Sequence, residues 1–199
     1  MPLLQPGPDG SPPEVDGPVR LLLLADTHLP KRAKALPDEV WRAVDEADLV
    51  VHAGDWVDEA TLDALEQRAA LLLAVWGNND PEPLRARLPE VARARVAGLD
   101  VRVVHETGAA TGRETRADAA HPGADVLVFG HSHIPWDTVS PAGLRLLNPG
   151  SPTDRRRQPA CTFLTAVADD GALRDVHLTA LPLRARTIPG CGARGSQSI

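Results

Sequence analysis

Seven side chains have the chemistry of metal ligands: Asp26, His28, Asp55, Asn78, His105, His131 and His133. They fall in five short clusters, Asp26-Thr27-His28, Gly54-Asp55, Gly77-Asn78-Asn79-Asp80, His105 and Gly130-His131-Ser132-His133, each just past an apolar run. Asp26 and His28 are two apart, as are His131 and His133. In extended backbone, residues i and i+2 point to the same side, so each pair is expected to reach one centre. Imidazole and carboxylate oxygen suit Mn, Fe, Co, Ni or Zn, with no thiolate to favour a softer ion. Seven ligands exceed the four of a single tetrahedral site. If one carboxylate bridges, the set serves two ions. Two divalent cations outweigh two aspartates, and the positive remainder attracts an anion. Paired cations clamp the attacking and leaving oxygens of a displacement at phosphorus.

The elements that must position these residues are legible in the periodicity. VRLLLLAD (19–26), DLVVHAGD (48–55), LLLAVW (71–76) and ADVLVFG (124–130) are continuous apolar runs, as in strands covered on both faces. Helices are expected over 37–47, where Val40, Ala43, Val44 and Ala47 form a stripe, over 58–69 with Leu62 and Leu65 inward, and over RETRADAAHP. VARARVAGLDVRVVHE reads as a hairpin turning at Gly98-Leu99-Asp100, and two later hairpins turn at PAG and DDG. Early βαβ units followed by antiparallel hairpins predict an α/β fold of two stacked mixed sheets flanked by helices. In open α/β sheets, ligands bind beyond the carboxyl ends of the strands, so the five clusters should meet at one rim. Gly54, Gly77 and Gly130 are expected to let the backbone turn sharply there.

Composition narrows the function. A 199-residue chain that is 43% hydrophobic can bury one sizeable core. Its net charge of −6 offers no global basic field for long nucleic acid or an anionic membrane. The apolar runs are far shorter than the roughly 20 residues needed to span a bilayer. Met1 is followed by no basic or hydrophobic leader region, so no signal peptide is expected. Cys161 and Cys191 fit neither a metal spacing nor a disulfide framework and read as thiols of a reducing cytosol. Residues 1–18 carry six prolines and three glycines and read as a disordered tail. Residues 19–184 form the expected domain, and 185–199 a flexible C-terminal tail.

The series DTH, GD, GNN, a strand-end histidine and GHSH resembles the calcineurin-like metallophosphoesterase superfamily. The short core, GNND and the NPGS after GHSH resemble its small cap-less bacterial and archaeal phosphodiesterases. The resemblance implies a four-layer αββα sandwich with two divalent ions, manganese first and Ni, Co, Fe or Zn as others. It implies Asp26, His28 and His133 at one ion, Asn78, His105 and His131 at the other, and Asp55 bridging. A water or hydroxide between the ions would be the nucleophile. Asn79 stands where many relatives have a histidine that assists the leaving group, and His105-Glu106 replaces the usual His-Gly. Asp55, Asn79 and His105 are therefore the expected catalytic residues. Glu106 is expected to alter access or to accept an imidazole N–H.

The expected partner is a small phosphodiester, with no membrane and no long nucleic acid; a homo-oligomer is compatible with this reading. A phosphomonoesterase or protein phosphatase, a nuclease and a catalytically silent binding scaffold are the competing functions. Asn79 and the lack of a cap count against the first, the charge against the second, and the complete ligand set against the third. His52 is expected to be structural, and His121 and His177 to lie at the surface. Asp58 and Asp80 read as helix caps in preference to groups that support the ligands. Trp56 and Trp136 are weighed as base-stacking residues against aromatic packing, NPGS as a turn beneath the site, and Arg155-Arg156-Arg157 as a solvated run with a lesser claim to substrate phosphate.

Overall fold

The computed structural model describes residues 2–182. The expected C-terminal tail and Cys191 lie outside them. One sheet has the order β11-β10-β2-β3-β4 and the other β1-β5-β6-β7-β9-β8. In chain order the strands are β1 (Glu14–Val15), β2 (Val19–Leu24), β3 (Leu49–His52), β4 (Leu72–Ala74), β5 (Val91–Val96), β6 (Leu99–Val104), β7 (Val126–Val128), β8 (Trp136–Val139), β9 (Arg145–Asn148), β10 (Thr162–Asp169) and β11 (Ala172–Ala180). The helices are α1 (Asp38–Glu46), α2 (Glu59–Arg68), α3 (Glu82–Arg87) and α4 (Arg113–Ala120). None among the described residues is long and apolar enough to cross a membrane.

Strand alternation builds the four layers. On β2, Leu21 and Leu23 face the second sheet, while Leu22 and Leu24 face the helices. Leu49 and Val51 repeat this on β3, with Val50 turned to the helical side. From the second sheet, Val101, Val103, Val126, Val128 and Leu147 meet the inner faces of β2 and β3. Val40 and Val44 of α1 and Leu62 and Leu65 of α2 cover one outer face. Ala117 of α4 packs with Leu127, Phe129 and Leu146 on the other. The fold is thus two mixed sheets back to back with helices outside, as expected. Strands buried on both faces need apolar residues throughout, which is why their sequences run without alternation.

Three expectations are corrected. The runs read as strands continue past the strands themselves, because Asp26 and Asp55 have left extended backbone, with φ of 55° and 62°. The first hairpin turns at Ala97-Gly98, whose φ values of 47° and 86° give two consecutive left-handed residues, the two-residue turn that matches strand twist. Residues 2–18 are not without regular structure. Leu3 bridges Leu72, the Leu4 N–H donates to the Leu72 carbonyl at 2.8 Å, and Glu14–Val15 adds a parallel strand beside β5. Prolines are tolerated there because the additions lie at sheet edges.

β2, β3 and β4 run parallel in one sheet and β6, β7 and β9 in the other. Their carboxyl ends carry all five clusters.

Candidate metal centre

The seven side chains expected from the sequence come together. His28 Nε2 lies 3.1 Å from His133 Nε2 and 3.4 Å from Asp55 Oδ2. His133 Nε2 lies 3.4 Å from Asp26 Oδ1. His105 Nε2 lies 3.4 Å from Asp55 Oδ2 and 2.9 Å from Asn78 Oδ1. His131 Nδ1 is 3.0 Å from the same Asn78 oxygen. Asp26, His28 and His133 form one compact group, and Asp26, Asp55 and His105 a second. Asp55 Oδ2 stands between His28 and His105, equidistant at 3.4 Å.

The pairs do not meet by strand alternation. Asp26, His28, His131 and His133 all have positive φ, 55°, 44°, 66° and 58°. Left-handed backbone costs non-glycine residues free energy and persists where surrounding structure enforces it. Here a hydrogen-bonded frame does so. Ser151 Oγ donates to the Asp26 carbonyl at 2.7 Å and Thr153 Oγ1 to the Thr27 carbonyl at 2.5 Å. Asn148 Nδ2 donates to the Gly130 carbonyl at 2.8 Å, and its Oδ1 accepts the Gly150 N–H at 2.8 Å. NPGS is therefore a turn that ties the first and last clusters together. The glycine expectation also changes. Only Gly54, at φ 85°, uses left-handed freedom. A Cβ on Gly130 would sit 2.9 Å from the Ala25 Cβ and 3.0 Å from Asp26 Oδ2, so close approach is what requires glycine there. Gly77 presses on Asp55 in the same way.

Two imidazoles have their tautomers fixed from behind. The His105 Nδ1–H donates to the Ala53 carbonyl at 2.7 Å, and the His133 Nδ1–H to the Asp154 carbonyl at 2.6 Å. A carbonyl only accepts, so in each neutral ring Nε2 presents a lone pair to the cluster. That of His105 faces acceptor oxygens of Asn78 and Asp55. Asp26 Oδ2 is buried with no hydrogen-bond partner. Electron pairs aimed at one another are stabilised only by a positive charge between them. A cation fits this donor set, and imidazole, carboxylate and amide oxygen suit borderline divalent ions.

Electrostatics agree. Burial raises the Asp55 carboxyl, but the charged form of His105 and the amides of Asn79 outweigh it and hold the group well below the usual carboxylate range. Burial lowers His28 against the pull of Asp55 and Asp26, leaving the ring neutral and able to donate a lone pair at neutral pH. Burial also opposes charge on His105, but Asp55 and the nearby Asp26 raise it, so without a cation a proton on Nε2 takes the place of the positive charge between these groups.

Asn79 faces Asp55. Its backbone N–H donates to Oδ1 at 2.8 Å and its side-chain amide to Oδ2 at 2.7 Å. Asp80 is not a helix cap. Its Oδ2 accepts N–H groups of Gly77 (2.7 Å) and Asp55 (3.1 Å), and its Oδ1 that of Val57 (2.7 Å), so one buried carboxylate joins the loops after β3 and β4. Asp58 does cap α2, accepting the Thr61 N–H at 3.2 Å. Glu106 Oε1 lies 3.8 Å from His131 Nε2, on the imidazole edge turned away from Asn78.

His52 is fully buried, and its Nδ1 accepts the Gly54 N–H at 3.2 Å. Its ring stacks on Trp56 at 3.5 Å between centroids. Trp56 is itself fully buried and donates to the Val75 carbonyl at 2.9 Å, so it packs and cannot stack on a ligand. Trp136 packs under Arg113 at 4.5 Å. His177 is exposed, and His121 is half-buried at the end of α4. Of the exposed arginine run, Arg156 donates to the His131 carbonyl at 3.4 Å and Arg155 to that of Gln158 at 2.6 Å. Sequence reasoning missed Asn148, Ser151, Thr153 and the Asp154 carbonyl as positioning groups and ranked capping above support for Asp80. Only the proximity of Asp80 to GNN and of NPGS to GHSH hinted at them.

Residues 19–171 match the family model for the calcineurin-like phosphoesterase superfamily domain. The chain is 38% identical over 135 residues to a protein named probable metallophosphoesterase from Methanothermobacter thermautotrophicus, covering 66% of this chain and 76% of that one. A solution structure of a Thermotoga maritima protein superposes with a TM-score of 0.65 at 33% identity, covering 84% of this chain and all of that one. Vps29 from Entamoeba histolytica, in complex with zinc, has the same fold at 20% identity and a TM-score of 0.61, covering 81% and 98%.

Proposed function

The chain belongs to the calcineurin-like phosphoesterase superfamily, and on that premise we propose that it is a metal-dependent phosphodiesterase acting on small phosphodiesters. The observation that carries this reading is the convergence of the Nε2 lone pairs of His105 and His133 on Asp26, Asp55 and Asn78, with Asp26 Oδ2 buried and unpartnered. Asp26, His28 and His133 would hold one divalent cation, Asn78, His105 and His131 a second, and Asp55 both. Manganese is the ion expected first. Such cations supply Lewis-acid stabilisation of the charge that builds on phosphoryl oxygens.

The chain's own groups do the rest. Asp26 and Asp55 offset only part of the cations' charge, so the rim attracts an anion. Asn78 contributes an oxygen without further negative charge. Asn79 is neutral and donates to Asp55, so it offers no proton to a departing alkoxide. A monoanionic diester whose leaving group is stable as an anion suits such a site better than a dianionic monoester.

The test is hydrolysis of bis-aryl diesters and aryl monoesters by chelated protein reloaded with Mn, Co, Ni, Fe or Zn. Diester turnover should require metal and exceed monoester turnover. Metal bound in stoichiometric amount without hydrolysis of any ester would instead favour a binding scaffold, and preference for monoesters would overturn the diesterase reading.

A further inference from the structure

A hollow of about 230 Å³ opens beside the cluster, lined by Trp76, Glu90, Val91 and Glu106 together with Asn78 and His105. The last two belong to both places. A phosphodiester held at the cluster would therefore lie at the mouth of this hollow. We propose that the hollow is a subsite for one of its ester groups and selects one carrying an ammonium or amino function on a short chain. This rests on the phosphodiesterase reading above.

Size excludes a large group. The volume is below the roughly 300–1,000 Å³ of sites that enclose drug-sized ligands, so it suits a group of a few carbon atoms and not a nucleoside. The lining sets the chemistry. Trp76 is half-buried, and Val91 is 50% exposed although it begins a strand, so an aromatic and an apolar wall meet solvent. Glu90 and Glu106 are both exposed carboxylates at this wall. Among the described residues Glu106 pairs with His131 Nε2 alone, at 3.8 Å, and Glu90 forms no ion pair. An indole beside two carboxylates attracts an alkylammonium group through ring quadrupole and charge together. The same carboxylates repel an anionic substituent.

Arg85 is an opposing charge beside Trp76. Its guanidinium covers Trp76 at 4.5 Å but is committed to the carbonyls of Asp80 (2.8 Å) and Asn78 (3.2 Å), and it does not line the hollow. The arrangement thus makes Arg85 a brace for the indole and leaves the open side acidic.

The experiment uses three diesters sharing a 4-nitrophenyl group. The second ester group is 2-(trimethylammonio)ethyl, its neutral carbon isostere 3,3-dimethylbutyl, or a carboxyalkyl chain. Full-length Mn-loaded protein is compared with Glu106→Gln and with Glu90→Gln/Glu106→Gln. The expected ranking in kcat/KM is cationic, neutral, anionic, with about fivefold between the first two, the scale of an exposed charge contact. The ratio should shrink in the single variant and approach one in the double. Calorimetric binding of phosphocholine and 3,3-dimethylbutyl phosphate gives the same comparison without turnover. Hydrolysis without charge preference, or a preference unchanged in the double variant, overturns the subsite alone. Absence of hydrolysis with phosphocholine still favoured in binding overturns the diesterase reading and leaves the subsite standing. Equal binding of the two phosphates overturns the subsite.

Discussion

Asn79 grips both oxygens of Asp55, through its backbone N–H at 2.8 Å and its side-chain amide at 2.7 Å. The residue after Asn78 thereby orients the carboxylate that lies between His28 and His105. A neighbour that could have acted on a leaving group is instead bound to a proposed metal ligand. Removing the amide should therefore be felt at the metals. Asn79→Ala is expected to weaken metal affinity by about 10- to 100-fold, the usual cost of losing a group that orients a ligand. The dependence of rate on leaving-group pKa should stay unchanged at matched metal content. A steeper dependence in the variant would restore a role in leaving-group departure.

Asp55 is equidistant from the two histidine groups, so it should serve both. Asp55→Asn is expected to reduce metal content at both positions and to lower turnover at least about 10³-fold, by analogy with the loss of a group that stabilises transition-state charge. Elemental analysis after gel filtration reads the first effect, and hydrolysis of a bis-aryl diester the second. Two metals retained at near-normal activity would remove Asp55 from the bridge.

Asp80 accepts three backbone N–H groups from the loops after β3 and β4. Burial raises its pKa despite those bonds, so the carboxylate is charged at some cost and repays it by holding the loops. Asp80→Ala leaves three donors unpaired in a site that is 3% exposed. A loss of about 1–3 kcal/mol per unsatisfied group bounds the effect from above, since water can enter the vacated space. Urea unfolding should show a lower midpoint, and metal affinity should fall with it because Gly77 and Asp55 lose their common anchor.

His52 predicts an acid sensitivity independent of metal. Burial holds its pKa well below the ordinary imidazole value, and the ring stays neutral between Gly54 and Thr27. The unfolded chain takes up a proton at His52 as pH falls through about 6.5, while the folded chain does not. Stability must then decline below that pH, by at most about 1.4 kcal/mol per pH unit from this residue. His105, held above its ordinary value, acts oppositely and loses its contribution as pH rises. The difference between wild type and His52→Gln isolates the first effect. In chelated protein, the variant should lose less stability between pH 7 and pH 5, measured by urea denaturation.

The sequence by itself determined which residues are candidates for the centre and where they sit in the chain. Continuous apolar runs marked doubly covered strands, and polar residues at their carboxyl ends named Asp26, His28, Asp55, Asn78, His105, His131 and His133. Both signals are local, because hydrophobic period and strand ends are properties of neighbouring residues. The tertiary structure decided how those residues meet. Left-handed backbone at Asp26, His28, His131 and His133, not strand alternation, turns them inward. That conformation is imposed by Ser151, Thr153 and Asn148, more than 100 residues from Asp26 in the case of Ser151. The attachment of Leu3 to Leu72 was equally invisible, since a proline-rich stretch gains its hydrogen bonds only once a sheet edge exists to supply them. Asp80 shows the same limit. Its type suggested a cap, but a carboxylate accepts whichever N–H groups the fold brings to it, and here those come from Val57, Asp55 and Gly77.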